Sequence, residues 1–507
     1  MSPGAPARAP LQANAAALRL ALGLALAWVA ATSCTGEADG DGAGSPVASR
    51  PDVVLVLLDT LRPDHLELYG HRRVTAPWLA ALGARGAVFE RAFSTSGWTP
   101  PSTASAITGL YPERHGVIHG LDTDKQTARA VAAGAQSTLE VPALPRSHAT
   151  LAERFAAAGY ATFGLATNVH INALVGHDRG FERFELHADA DAEAVLEQLA
   201  EWSDELGVGD HDDHDDHDDH GDHGDHGDHG DHGDRDDRDD RERPSFLYLH
   251  LNDAHRPYHQ RLPWYEPVDD KLLDLAQAYD SEISFVDQAL SQLQERLGWD
   301  DDTLICVISD HGEGFGERFG GERLPADGFV GHGPSLSWVV NRCVLLLAGP
   351  GVPAGRVRGN VSLVDVMPTL LDLAGLPAGD DLDGLSLRPL LGGGLPPPFA
   401  QRALFAQRKH RRPVADRFLW SVIQGRWKLI HDELSGERRL YDTEADPLER
   451  RDVSNMAPAK VAELAQLHAQ HAARSQVEGG RDVQVELTEE LLETLRELGY
   501  AGDDGQR

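Results

Sequence analysis

Residues 51–59 read Pro-Asp-Val-Val-Leu-Val-Leu-Leu-Asp, an unbroken apolar run closed by a carboxylate. A run with no polar alternation suits a strand covered on both faces, as in a parallel sheet flanked by helices. Similar runs occur at 161–166, 245–251, 303–309 and 343–348, and helical patterns separate them at 76–86, 102–108, 151–158, 191–206, 271–296 and 364–374. Strands alternating with helices predict an α/β fold with a large central, mostly parallel sheet flanked by helices; such folds bind ligands at the carboxyl ends of their strands. After about residue 400 the pattern changes. Short antiparallel strands are predicted at 418–423, 427–431 and 439–441, followed by a helical tail. The division is therefore a catalytic α/β domain over 51–400 and a smaller α+β carboxy-terminal subdomain over 401–507.

The 507 residues are 41% hydrophobic, enough for a large core. With 81 acidic against 46 basic side chains the net charge is −35, which argues against a nucleic-acid partner because phosphate recognition relies on clustered Lys and Arg. Three cysteines cannot make a disulfide framework, and Cys306 and Cys343, inside apolar runs, are expected as buried thiols. Seventeen acidic residues against four Arg give 210–243 a net −13; it is a period-three repeat of His, Asp, Gly and Arg with eight histidines. It carries no apolar residue, so 208–243 is predicted to be a disordered insertion in the catalytic domain. Its imidazoles and carboxylates suit additional weakly bound Zn²⁺; the plain alternative is repeat expansion on a tolerant surface.

The amino terminus reads as an export signal. Arg8 and Arg19 precede an apolar run over 20–31, and Ala31, Thr32 and Ser33 lead into Cys34. The run is shorter than the ~20 residues a membrane-spanning helix needs. A cysteine after small residues resembles the lipobox of bacterial lipoproteins, whose thiol is acylated. The expectation is a signal peptide over 1–33, lipidation at Cys34, a flexible tether over 34–50, and a protein held at the bacterial cell envelope through a lipid anchor in the membrane.

Two acids and a histidine end buried strands: Asp59 closes the first, and Asp310 with His311 closes another. If those strands are neighbours, the three converge on an oxygen-rich site with one imidazole, suited to one divalent metal ion: Ca²⁺, Mg²⁺, Mn²⁺ or Zn²⁺. A strand-ending Asp on its own is as often a helix cap. In the stretch 95–105, Thr99 precedes two prolines, and Ser102 is predicted to cap the following helix. That sets a hydroxyl at a helix amino terminus, where N–H groups favour an anion, and near a divalent ion such a hydroxyl can become a nucleophile.

Taken together, residues 57–65 (Leu-Leu-Asp-Thr-Leu-Arg-Pro-Asp-His), 98–102 (Trp-Thr-Pro-Pro-Ser) and 108–116 (Thr-Gly-Leu-Tyr-Pro-Glu-Arg-His-Gly) strongly resemble the sulfatase family of the alkaline phosphatase superfamily. The likeness continues through 249–255, 279–283, 309–313, 331–333, 365–370, 425–430 and 440–447. It implies metal ligands at Asp59, Asp310 and His311, and a nucleophile at Thr99 that also contacts the metal. It further implies that His255 and His332 bind the transferred group or protonate the leaving oxygen. Asp253 and Glu313 are then spare acids suited to orienting the ligands.

Departures from the family pattern shape the expected chemistry. Type I sulfatases oxidise a Cys or Ser to formylglycine; threonine, with its extra methyl, cannot become that aldehyde, so no formylglycine is expected. The family's arginine four residues on is Thr103, its second paired acid is Thr60, and its sulfate-gripping lysine has no counterpart near 166–170, where Asn168 is the candidate substrate donor. Members with threonine as nucleophile resemble phosphoglycerol transferases and phosphonate or phosphate ester hydrolases. The expectation is therefore an exported, metal-dependent hydrolase of a small-molecule, glycan or lipid ester, cleaving sulfate or, by mechanistic preference, phosphate or phosphonate. The alternatives are a phosphoglycerol- or phosphoethanolamine-type transferase, and a surface metal-binding protein with an inactive sulfatase-like domain.

Overall fold

The computed structural model describes residues 50–123, 125–188, 190–203, 205–206, 243–317, 330–333, 335–410, 417–475, 481–497 and 501. The predicted signal, Cys34, the tether up to residue 49 and the His/Asp repeat lie outside the described residues.

Eight strands build the central sheet: β1 (Val53–Leu58), β2 (Ala87–Phe89), β3 (Ala161–Ala166), β4 (Arg183–Leu186), β5 (Ser245–Leu251), β6 (Leu304–Ser309), β7 (Leu345–Ala348) and β8 (Gly355–Val357). Their order across the sheet is β8-β2-β7-β6-β1-β5-β3-β4. Only β7 runs against its neighbours; β1 lies between β5 and β6, parallel to both. The sheet is thus mostly parallel, as the apolar runs predict.

Successive residues of β1 face opposite cores. Val53, Leu55 and Leu57 pack with the helices Thr99–Thr108, Leu151–Ala157 and Val366–Leu373. Val54, Val56 and Leu58 pack with Pro77–Arg85, Ala192–Ala200 and Lys271–Arg296. Burial on both faces is the reason these strands show no polar alternation. Every residue of β1 and β6 is buried, and the carboxylates Asp59 and Asp310 come immediately past their ends.

Beyond residue 400 a four-stranded antiparallel sheet forms from Leu404–His410, Arg417–Gln424, Trp427–Asp432 and Arg438–Asp442, with the helix Pro458–Arg474 packed on it. The first of these strands is absent from the sequence reading because it runs through a basic stretch. The chain then leaves this sheet. Arg481–Glu486 pairs antiparallel with Thr138–Ala143, and Leu492 and Leu495 of the helix Glu489–Glu497 join a small core with Trp98, Leu121 and Val169. The terminal helix therefore packs on the catalytic domain and not on the carboxy-terminal sheet. No described helix is long and apolar enough to cross a membrane.

Candidate active site

The site grows from the carboxyl ends of β1, β5 and β6. Asp59 follows β1, and Thr60 next to it adopts φ 58°, a left-handed conformation that a β-branched residue rarely takes. That turn aims the Thr60 N–H at Asp310 Oδ1 (3.1 Å), while its hydroxyl donates to the Ala254 carbonyl (2.7 Å). Tyr279 holds the turn from below, donating to the Thr60 carbonyl (2.9 Å) and accepting from the Arg62 N–H (2.8 Å). Thr60, which stands at the family's second acid, is thus a structural brace between the two carboxylates.

Thr99 is the first residue of its helix, which starts three residues earlier than predicted because Pro100 and Pro101 are accommodated in the first turn. Ser102 sits inside the helix and donates its hydroxyl back to the Trp98 carbonyl, so it does not cap it. Thr99 Oγ1 lies 3.3 Å from Asp59 Oδ2 and 3.2 Å from His311 Nε2. The Nδ1–H of His311 donates to the Gly312 carbonyl (3.0 Å), which leaves the Nε2 lone pair facing Thr99 and the two acids.

Asp59, Thr99, Asp310 and His311 are all fully buried. Burial raises the Asp59 carboxyl far above its ordinary range, and the nearby Asp310 charge adds to this. Asp310 is raised by burial as well. Asp59 Oδ1 and Asp310 Oδ2 have no hydrogen-bond partner among the described residues. Two buried carboxylate oxygens without donors, converging with an imidazole lone pair within 4.8 Å of one another, fit a divalent cation. Asp59, Asp310 and His311 would hold it, with Thr99 Oγ1 alongside.

The remaining candidates surround this cluster. The rings of His255 and His332 lie 5.0 Å apart, and those of His311 and His332 4.5 Å. His255 donates its Nδ1–H to the Arg256 carbonyl (2.6 Å); burial, with His332 nearby, pushes its imidazole down to about 3, so it is neutral at neutral pH. His332 Nδ1 faces Glu313 Oε1 at 3.3 Å, which gives Glu313 a partner in His332. Asp253 turns instead to the Ala192 N–H (3.0 Å), and burial raises its carboxyl to about 7. Asn168, expected to face the substrate, spends its amide on Asp59 Oδ2 (2.8 Å) and reaches Asn252 Oδ1 (3.2 Å). One residue escaped the sequence reading altogether. His250, inside the apolar run of β5, lies with its Nε2 3.7 Å from Asp59 Oδ2; the only signal for it was an imidazole in the middle of an otherwise apolar strand.

Comparison with known proteins agrees with this architecture. Residues 51–376 match the sulfatase family, and residues 342–476 match the carboxy-terminal region of N-sulphoglucosamine sulphohydrolase. Human arylsulfatase A is 26% identical over 433 residues, covering 80% of this chain and 79% of that protein. Choline-sulfatase of Rhizobium meliloti is 31% identical over 209 residues, 39% of this chain, and the match spans only 38% of that relative. Among solved structures, the phosphonate monoester hydrolase of Agrobacterium radiobacter superposes with a TM-score of 0.60 at 20% identity, covering 84% of this chain and 96% of the other. The fold, the order of motifs and the family match lead to one conclusion: this chain belongs to the sulfatase family.

Proposed function

We propose that the protein is an exported, cation-dependent ester hydrolase whose nucleophile is the Thr99 hydroxyl, with phosphate or phosphonate esters preferred over sulfate esters. The observation that carries this reading is the seat of Thr99 Oγ1, 3.3 Å from Asp59 and 3.2 Å from His311 beside two partnerless carboxylate oxygens. The names of the relatives point both ways: choline-sulfatase and arylsulfatase A to sulfate esters, the phosphonate monoester hydrolase to phosphorus. All three act on tetrahedral anionic esters. Threonine favours phosphorus, because its side chain cannot be oxidised to an aldehyde and is suited to act as the hydroxyl it is.

A bound divalent ion would supply charge neutralisation for the tetrahedral anion. The protein's own groups do the rest. Thr99 Oγ1 forms the bond to phosphorus or sulfur as the bond to the leaving oxygen breaks, and the hydroxyl proton ends, in net terms, on that oxygen. His332, held at Nδ1 by Glu313, is the group suited to deliver it from Nε2. His255, neutral, serves as a hydrogen-bond partner of the transferred group. Water then cleaves the Thr99 ester, and Oγ1 regains its proton.

The substrate is a small-molecule, glycan or lipid ester reached from the cell envelope, where acylated Cys34 would tether the chain to the membrane. Mass spectrometry of the mature protein is expected to find acyl-Cys34 as the first residue; an intact peptide spanning Ser33 and Cys34 would refute it. Thr99→Ala should lose turnover by on the order of 10³-fold or more, since removal of a nucleophile is among the costliest single changes, whereas Thr99→Ser should remain active. Assayed on matched aryl sulfate, phosphate monoester, diester and phosphonate substrates, the wild type should favour phosphorus and leave the group on Thr99 in quenched samples. Full activity in Thr99→Ala would overturn the nucleophile, and a preference for sulfate would overturn the phosphorus assignment.

A further inference from the structure

His250 sits on β5 in register with Leu57 of β1 and Ala166 of β3, in the most enclosed part of the sheet. Its side chain is fully buried, and neither ring nitrogen has a hydrogen-bond partner among the described residues. A neutral imidazole always carries one N–H, and leaving such a donor buried and unpaired is costly. A carboxylate acceptor stands close by: Asp59 Oδ2 is 3.7 Å from His250 Nε2. Closing that gap to hydrogen-bond distance takes a shift of under about 1 Å.

Asp59 Oδ2 is already taken. It accepts from Asn168 Nδ2 at 2.8 Å and from the Thr99 hydroxyl at 3.3 Å. A carboxylate oxygen has room for about two good donors, so His250 is a third donor held just outside. One of the two present donors is the nucleophile, and its hydrogen is lost whenever Oγ1 is bonded to the transferred group. At that point Oδ2 has one vacant acceptor direction and a buried N–H beside it.

We propose that His250 is a positioning residue for Asp59, the reserve donor that takes over Asp59 Oδ2 when Thr99 has no proton to give. The inference rests on the reading of Thr99 as nucleophile. It makes His250 Nε2–H worth more in the esterified and attacking states than in the resting enzyme, and such differential contacts are what raise turnover. It also accounts for an imidazole in a strand otherwise dominated by apolar and aromatic side chains.

The test has two arms. In metal-free wild-type protein labelled with [¹⁵N]histidine, the His250 signals, assigned through the His250→Gln variant, should report the neutral tautomer with hydrogen on Nε2. Hydrogen on Nδ1 would put a lone pair against Asp59 and overturn the assignment, and this measurement needs no variant to turn over. In the holoenzyme, His250→Phe should lower kcat by roughly 10–100-fold, the usual effect of losing a group that orients a metal ligand, with KM within about threefold. His250→Gln, which keeps an N–H near the Nε2 position, should recover most of it at a similar thermal midpoint. Equal kcat in wild type and His250→Phe, with Thr99 essential, overturns the His250 assignment alone. Turnover surviving in Thr99→Ala overturns the nucleophile, whatever the tautomer.

Discussion

Two clusters of buried charge differ in one respect that separates chemistry from architecture. At the carboxyl edge of the central sheet, Asp59 and Asp310 are fully buried and each keeps one oxygen without a partner among the described residues. Beneath the carboxy-terminal sheet, Lys428 and Glu449 are equally buried, but the lysine Nζ lies 2.7 Å from Glu449 Oε1, and Glu449 Oε2 accepts from the Trp338 N–H at 3.0 Å. The second cluster is complete within the chain and ties the carboxy-terminal sheet to the segment that packs on Gly312. The first would be completed by a bound cation. Burial that leaves charge unanswered marks a site; burial that answers it marks a joint.

The sharpest way to break this contrast is to remove a charge from each cluster. Asp310→Asn should weaken divalent-cation binding by more than the 10–100-fold that loss of a ligand's supporting partner typically costs, and turnover should fall with it. In EDTA the same variant should be more stable than wild type, by about 1–3 kcal/mol, because a buried acceptor without a donor is relieved of its charge. Calorimetry of the metal-free proteins reads this directly. A lower midpoint for Asp310→Asn in EDTA would mean that the carboxylate is satisfied without a cation, and the contrast would collapse.

At the other cluster the signs reverse. Lys428→Met removes the cation that faces buried Glu449 Oε1, and breaking such a pair costs roughly 3–5 kcal/mol. Measured well below its new midpoint, the variant should keep kcat/KM within a few-fold, and Lys428→Met with Glu449→Gln should regain part of the stability. An unchanged midpoint with collapsed turnover would instead place Lys428 in the catalytic machinery.

The same contrast explains what could be read from the sequence. The strands that support Asp59 and Asp310 were visible because burial on both faces leaves a run with no polar alternation, and the acid follows directly on each. The convergence of Asp59, Thr99, Asp310 and His311 could be anticipated only if β1 and β6 are neighbours, which they are. Directions of side chains were out of reach. Asn168 carries the same amide whether it faces a substrate or Asp59, and its orientation depends on β3 lying beside β5. Strand Leu404–His410 hid because its Gln407 and Arg408 are buried polar residues in a basic stretch, so no period-two pattern survives. The pairing of Thr138–Ala143 with Arg481–Glu486 joins two half-exposed segments more than three hundred residues apart, and nothing local announces it.

The smallest expected effect concerns the His/Asp repeat. The described chain resumes at Arg243, which pairs with Glu182 at 2.7 Å, and enters β5 at Ser245, whose N–H donates to Asp52 Oδ1 at 2.7 Å. Those contacts belong to the amino edge of the sheet. The candidate catalytic residues lie past the other end of β5, a seven-residue strand and so roughly 20 Å away. Whatever the repeat does, its point of attachment is remote from Thr99. Its composition is also different: many imidazoles and carboxylates at short, regular spacing would suit overlapping weak ligand sets for Zn²⁺, unlike the single converging set at Asp59, Asp310 and His311. Deleting residues 211–241 while keeping Arg243 should therefore leave kcat/KM within a few-fold and lower the number of weakly bound Zn²⁺ ions counted by equilibrium dialysis. Closure entropy changes slowly with loop length, so the shortened connection should shift stability by no more than about 1 kcal/mol. A collapse in turnover at saturating cation, with the midpoint unchanged, would show that the repeat reaches the carboxyl edge after all and belongs to the site.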